Sequence, residues 1–99
     1  MKYVVLYLDK VKDEINDLPI ALQAKIKVAE EVLAENDTGS LYIKVLRGHI
    51  RELIIGEYRL IFFYWAKDKI LFVDIFRKKS RKTPFRTIEQ AERIYKKLN

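Results

Sequence analysis

Arg59 sits in the run Tyr58-Arg-Leu-Ile-Phe-Phe-Tyr-Trp65, a cation inside a stretch that is otherwise apolar or aromatic. A guanidinium in such surroundings is costly without an anion, so position 59 implies a partner. One reading is a structural ion pair with Glu52, Glu57 or Asp74. The other is a preorganised group that grips a phosphate through two hydrogen bonds and stabilises charge developing on it. Further along, Arg77, Lys78, Lys79, Arg81, Lys82 and Arg86 place six cations in ten residues with no acid among them. Any one of these lysines reads as part of a solvated turn, but the block as a whole reads as a polyanion site. Lys44, Arg47, His49 and Arg51 form a second basic group beside Glu52. His49 is the single histidine, so acid–base chemistry has His49 with Glu52 or no conventional pair at all. Asp68 and Asp74 are isolated, and the chain has no metal-ligand spacing, phosphate-cradling glycine loop or nucleophile elbow. No metal or cofactor is expected.

The charge that surrounds these residues is lopsided. Residues 1–43 carry five Lys or Arg against eight acids, whereas residues 44–99 carry fifteen against six, within a net charge of +6. A bipolar molecule of this kind suits capture of nucleic acid or of an acidic protein surface. Ninety-nine residues make one domain, 1–99, and five glycines and prolines among 49% hydrophobic residues argue for a packed core rather than disorder. Cysteine is absent, which fits a reducing, intracellular home, and the apolar start Met1–Leu8 is too short for a signal peptide or a membrane span. A cytoplasmic protein without a membrane partner is the expectation.

Elements must then position the basic residues. Residues 2–8 read as a strand buried on both faces or central in a sheet, after which Asp9 caps a short helix carrying Val11, Ile15 and Leu18 and ended by Pro19. Leu22, Ile26, Ala29 and Leu33, widened by Val28 and Val32, mark a second helix that stops at Asn36–Gly39, where Asn and Gly supply left-handed geometry. Four strand-like runs follow, Leu41–Leu46, Ile50–Ile55, Tyr58–Trp65 and Ile70–Phe76, with links short enough for antiparallel hairpins. Strand alternation puts Tyr58, Leu60, Phe62 and Tyr64 on one face and Arg59, Ile61, Phe63 and Trp65 on the other. One face packs on helices and the other forms a partly aromatic floor. The same alternation gives Arg77 and Lys79 one direction and Lys78 the opposite, with Arg77 in parity with Ile75 and Val73. Thr87-Ile-Glu-Gln90 matches a capping box and predicts a C-terminal helix with Ile88, Ala91, Ile94 and Leu98 on one stripe. The fold class is α+β, an N-terminal strand and helical hairpin on a mainly antiparallel sheet of four or five strands, closed by a terminal helix.

Arg51-Glu-Leu53, Tyr58-Arg-Leu-Ile-Phe-Phe-Tyr64, Phe76-Arg-Lys-Lys-Ser-Arg-Lys-Thr-Pro84 and the terminal helix with Ala91, in that order, span nearly the whole chain. In this the chain resembles the RelE/ParE toxin superfamily, specifically its HigB-like, phage-derived branch. The resemblance implies the RelE-like fold and a type II toxin that enters the ribosome and cuts messenger RNA there, metal-independent and without cofactor. It implies a cognate antitoxin, typically with a helix-turn-helix domain, and a toxin–antitoxin complex that binds operator DNA. By the same resemblance Arg59 and Arg77 stabilise the phosphate, Lys79 contacts the phosphate or leaving group, and Glu52 transfers a proton or orients Arg59. Lys44, Arg47, His49, Arg51, Tyr58, Lys78, Arg81 and Lys82 are the expected RNA contacts. Two positions depart from the family pattern: Ile54 stands where an arginine is common, and Asp74 where a histidine is common. If either missing side chain is catalytic, this chain is a weak or silent nuclease. The resemblance therefore also admits two other functions, a ParE-like inhibitor of DNA gyrase and a silent module that binds RNA or antitoxin.

Overall fold

The computed structural model describes residues 2–79 and 81–99; Met1, at the head of the first apolar run, and Ser80, inside the basic block, lie outside the described residues. The chain runs β1 (Val4–Tyr7), α1 (Asp9–Asn16), α2 (Ile20–Ala34), a single 3-10 turn at Thr38–Ser40, β2 (Ile43–Arg47), β3 (Ile50–Ile55), β4 (Tyr58–Trp65), β5 (Lys69–Arg77) and α3 (Phe85–Leu98). The five strands form one sheet in the order β1-β5-β4-β3-β2. The links of two or three residues between β2, β3, β4 and β5 give antiparallel neighbours, whereas β1 lies parallel to β5, because the helical hairpin lies between β1 and the rest of the sheet. Among the described residues no helix is long and apolar enough to cross a membrane.

The alternation along β4 separates two cores. Leu60 and Phe62 join Val11, Ile26, Leu33, Leu53, Phe72 and Ile75 beneath the hairpin of α1 and α2. Ile61 and Phe63 join Ile50, Leu71, Val73 and Ala91 on the other face, where Ile94 and Tyr95 of α3 close over them. The sheet is thus covered on both sides, and the aromatic floor expected on the second face lies partly under α3.

Several local expectations are corrected. β1 is an edge strand rather than a central one, with Val4 51% exposed. Its apolar run is explained by packing on both sides of that edge, Val5 and Tyr7 toward the hairpin core and Leu6 toward the α3 core. Asp9 is the first residue of α1, not its cap; Leu8 holds the cap position and no side chain caps the helix. Of the residues that end α2, Asn36 takes the left-handed conformation at φ 63°, while Gly39 belongs to the following 3-10 turn. α3 begins before the expected capping box. Its cap is Pro84, whose carbonyl already accepts the Thr87 N–H at 3.0 Å, so Thr87 lies inside the first turn.

The correction with most consequence is a bulge in β5. Ile61 of β4 faces Asp74 and Phe62 faces Phe72, which leaves Val73 without a partner. One extra residue resets the alternation, so Val73 packs in the α3 core while Ile75 packs in the hairpin core. Arg77 keeps parity with Ile75 but not with Val73.

Candidate nucleic-acid interface

Arg59 lies across from Ile54 of β3 and Phe76 of β5, on the face that α3 shares. The β3–β4 hairpin turns at Gly56, whose φ of 57° is a geometry glycine adopts without strain, and this turn brings carbonyls to the guanidinium. Nη1 donates to the Gly56 carbonyl at 2.9 Å and to the Tyr58 carbonyl at 3.0 Å, while Nε is buried and has no hydrogen-bond partner among the described residues. None of the three acids that could have neutralised it does so. Glu52 accepts from the Thr83 hydroxyl, Glu57 pairs with Arg77, and Asp74 Oδ1 accepts from the Ile75 N–H at 2.9 Å. An orphaned buried donor costs about 1–3 kcal/mol, so Arg59 is held ready for an acceptor that the described residues do not supply.

The basic loop joins β5 to α3. Its start is pinned by the Lys78 N–H on the Glu57 carbonyl at 2.7 Å, and its end by Thr83 on Glu52. Between these points Lys79, Arg81 and Lys82 are exposed. The loop then enters α3, where Phe85 lies beneath the Arg47 guanidinium, 4.9 Å from its ring centre, and Glu92 pairs with the same arginine at 2.5 Å. His49 stacks on Tyr95 with ring centres 4.5 Å apart. Lys44, directly across from Glu52 on β2, adds an exposed cation to this face.

Arg59, Glu52, Lys44, Arg47 and His49 therefore share the α3 side of the sheet, and the end of the basic loop is tied to that side through Thr83. Three expected contacts do not. Arg77 pairs across from Tyr58 and so points to the hairpin side, where Glu57 holds it at 2.7 Å; the bulge and strand register, not residue type, keep it from lying beside Arg59. Tyr58 is part of the hairpin core, and Arg51, across from Phe62, lies over the Tyr64 ring at 5.2 Å. Burial raises the Tyr64 phenol above its ordinary value, and the Arg51 charge opposes that rise. Glu52 is only 2% exposed, a carboxylate deep under the loop rather than at an open cleft. Thr83 was not singled out by sequence; the signal available was Glu52 sharing strand parity with Ile50 and Ile54, which marks an inward acid in need of a donor.

The fold matches those of solved RelE toxins. The RelE–RelB complex of Pyrococcus horikoshii OT3 matches with a TM-score of 0.71 at 19% identity, covering 83% of this chain and 100% of that one. The RelBE2 complex of Mycobacterium tuberculosis matches at 0.63 and 17% identity, covering 79% and 100%, and the RelB–RelE complex of Methanococcus jannaschii at 0.60 and 21%, covering 73% and 88%. Among curated proteins no sequence matches the chain. The family model described as phage derived protein Gp49-like (DUF891) matches residues 13–96. The chain belongs to this Gp49-like family and has the RelE-like fold.

Proposed function

We propose that this protein is the toxin of a toxin–antitoxin pair and acts as an endoribonuclease on messenger RNA at the ribosome. The observation that carries the reading is Arg59: among the described residues its guanidinium has no acid partner and its buried Nε no hydrogen-bond partner, and it lies on the sheet face to which Thr83 ties the end of the basic loop. Attack of an RNA 2′-hydroxyl on its own neighbouring phosphate needs little more than alignment and charge stabilisation, since nucleophile and target are already joined. The 2′-hydroxyl releases its proton to water as its oxygen bonds to phosphorus, the bond to the 5′ oxygen breaks, that oxygen takes up a proton, and a 2′,3′-cyclic phosphate remains. Arg59 holds the phosphate, Lys79 serves the leaving oxygen, and Lys78, Arg81 and Lys82 follow the backbone on either side. Lys44, Arg47 and His49 extend the same face. The RelE-like neighbours were solved as complexes with RelB antitoxins, which supports a protein antitoxin as the natural partner here.

Inducible expression of the wild type and of Arg59→Ala in a bacterial host, with 5′ ends of messenger RNA mapped within minutes, tests this. Growth arrest with new translation-dependent cuts that vanish in the variant is the expected result. Arrest without cuts would move the target to DNA gyrase or another bound protein. Normal growth would leave a silent RNA- or antitoxin-binding module.

A further inference from the structure

Glu52 is the one buried charged side chain among the described residues, and a carboxylate removed from water needs a donor. The donor it has is not a cation. It is the hydroxyl of Thr83, 31 residues later in the chain and two residues before α3 begins. On β3 the strand alternation puts Glu52 on the same side as Ile54, and Ile54 lies directly across from Arg59. The Thr83 contact therefore falls one residue pair away from Arg59, diagonally across the strands. At its other end the loop is fixed by the Lys78 N–H on the Glu57 carbonyl at 2.7 Å.

We propose that Thr83 is a positioning residue whose hydroxyl, gripped by the buried Glu52 carboxylate, latches the basic loop across the strand face that carries Arg59. The proposal rests on the RNA reading above for its consequence, while the latch itself is a statement about the loop. Two effects follow from one hydrogen bond. The loop cations Lys79, Arg81 and Lys82 are ordered on the Arg59 side, so the phosphate that Arg59 binds and the phosphates that the loop binds lie on one strand of RNA. Glu52 is also occupied. Its oxygen accepts from Thr83 instead of pairing with Arg59 or with Lys44 directly across from it, and Arg59 keeps its charge for substrate. Glu52 then acts through Thr83 and the loop rather than by carrying a proton.

The test uses the full chain with Thr83→Val, which matches the shape and removes the donor, Thr83→Ser, which restores the donor, and Glu52→Gln, which keeps an acceptor oxygen without the charge. Two readouts are taken on each: the rate of tryptic cutting at Lys79, Arg81 and Lys82, and the affinity for a single-stranded RNA oligonucleotide by fluorescence anisotropy. Thr83→Val is expected to speed cutting and weaken RNA binding by about tenfold each, with Ser restoring both and Glu52→Gln shifting both in the same direction by less. Cutting of Thr83→Val at the wild-type rate overturns the latch, as does a Ser variant that behaves like Val. Should wild type fail to bind RNA while loop cutting still responds to Val and is rescued by Ser, the latch stands and the RNA reading falls.

Discussion

Lysine at position 59 keeps the charge and loses the fork, which makes it the sharper probe of what Arg59 does. The guanidinium uses Nη1 on two backbone carbonyls and leaves Nε buried without a partner among the described residues, an arrangement that gains little for the fold. Arg59→Lys is expected to leave the unfolding free energy within about 1 kcal/mol of wild type, since one orphaned donor disappears with the hydrogen bonds it accompanies. Cleavage should nevertheless fall by about 10²–10³-fold, the usual loss for a missing charge-stabilising donor. Urea titration beside a cleavage assay checks this, and a variant that unfolds easily would assign Arg59 to structure. Position 59 stands out in the sequence because a cation in an apolar strand needs a partner, and of its two readings the ion pair with Glu52, Glu57 or Asp74 is the one the geometry does not form. The partner of Glu52 was not legible, for the donor is 31 residues away and hydroxyls carry no charge pattern to follow. Arg77 misled for another reason: its charge and position suit a phosphate, but the extra residue at Val73 turned it to the far face, and nothing in the local sequence distinguishes Val73 from its neighbours as the bulged residue.

The elements respond to conditions in their own way, and the hairpin layer contains a group that reports on it. Tyr7 of β1 stacks on Phe72 with ring centres 5.1 Å apart and donates its hydroxyl to Glu30 of α2 at 2.7 Å, beside a cavity of about 500 Å³ between α1 and α2. Burial first, then the hydrogen bond to Glu30 and its negative charge, push the phenol well above its ordinary range. The unfolded chain releases this proton near the ordinary value of 10.0 whereas the folded chain retains it. The stability that depends on the neutral phenol is therefore complete below that pH and is lost as pH rises through and beyond it. Urea midpoints should fall between about pH 9 and about pH 11, and Tyr7→Phe should flatten that fall; an equal slope in both proteins would mean the phenol contributes nothing. The same hairpin shows what periodicity reveals. Val11, Ile26, Ala29 and Leu33 were legible as an inward stripe and are buried, because helical spacing records which face is covered. The place of β1 was not, because an apolar run looks alike at the centre of a sheet and at an edge covered on both sides. α3 was found a turn late, since Pro84 supplies the start that Thr87 resembled.

For the whole molecule the segregation of charge along the sequence becomes segregation in space. The eight acids of residues 1–43 lie in α1, α2 and the stretches just after them, while the fifteen Lys and Arg of residues 44–99 lie in the rest of the sheet with its turns, the basic loop and α3. A polyanion is steered toward the α3 side and repelled from the hairpin, so binding should depend on which face a cation occupies and not merely on its presence. This separates two sets of residues that sequence had grouped together. Affinity for single-stranded RNA should fall linearly in log salt, and alanine at Lys79 or Arg81 should each reduce the slope by about 0.7, as expected for one phosphate contact. Arg51→Ala and Arg77→Ala remove the same charge from the hairpin side, where Tyr64 and Glu57 already engage them, and should leave the slope unchanged. Isothermal or anisotropy titrations at four salt concentrations distinguish the cases. Equal slope changes for all four variants would mean that the RNA sees only net charge, and the division of the sheet into a binding face and a packing face would lose its functional meaning.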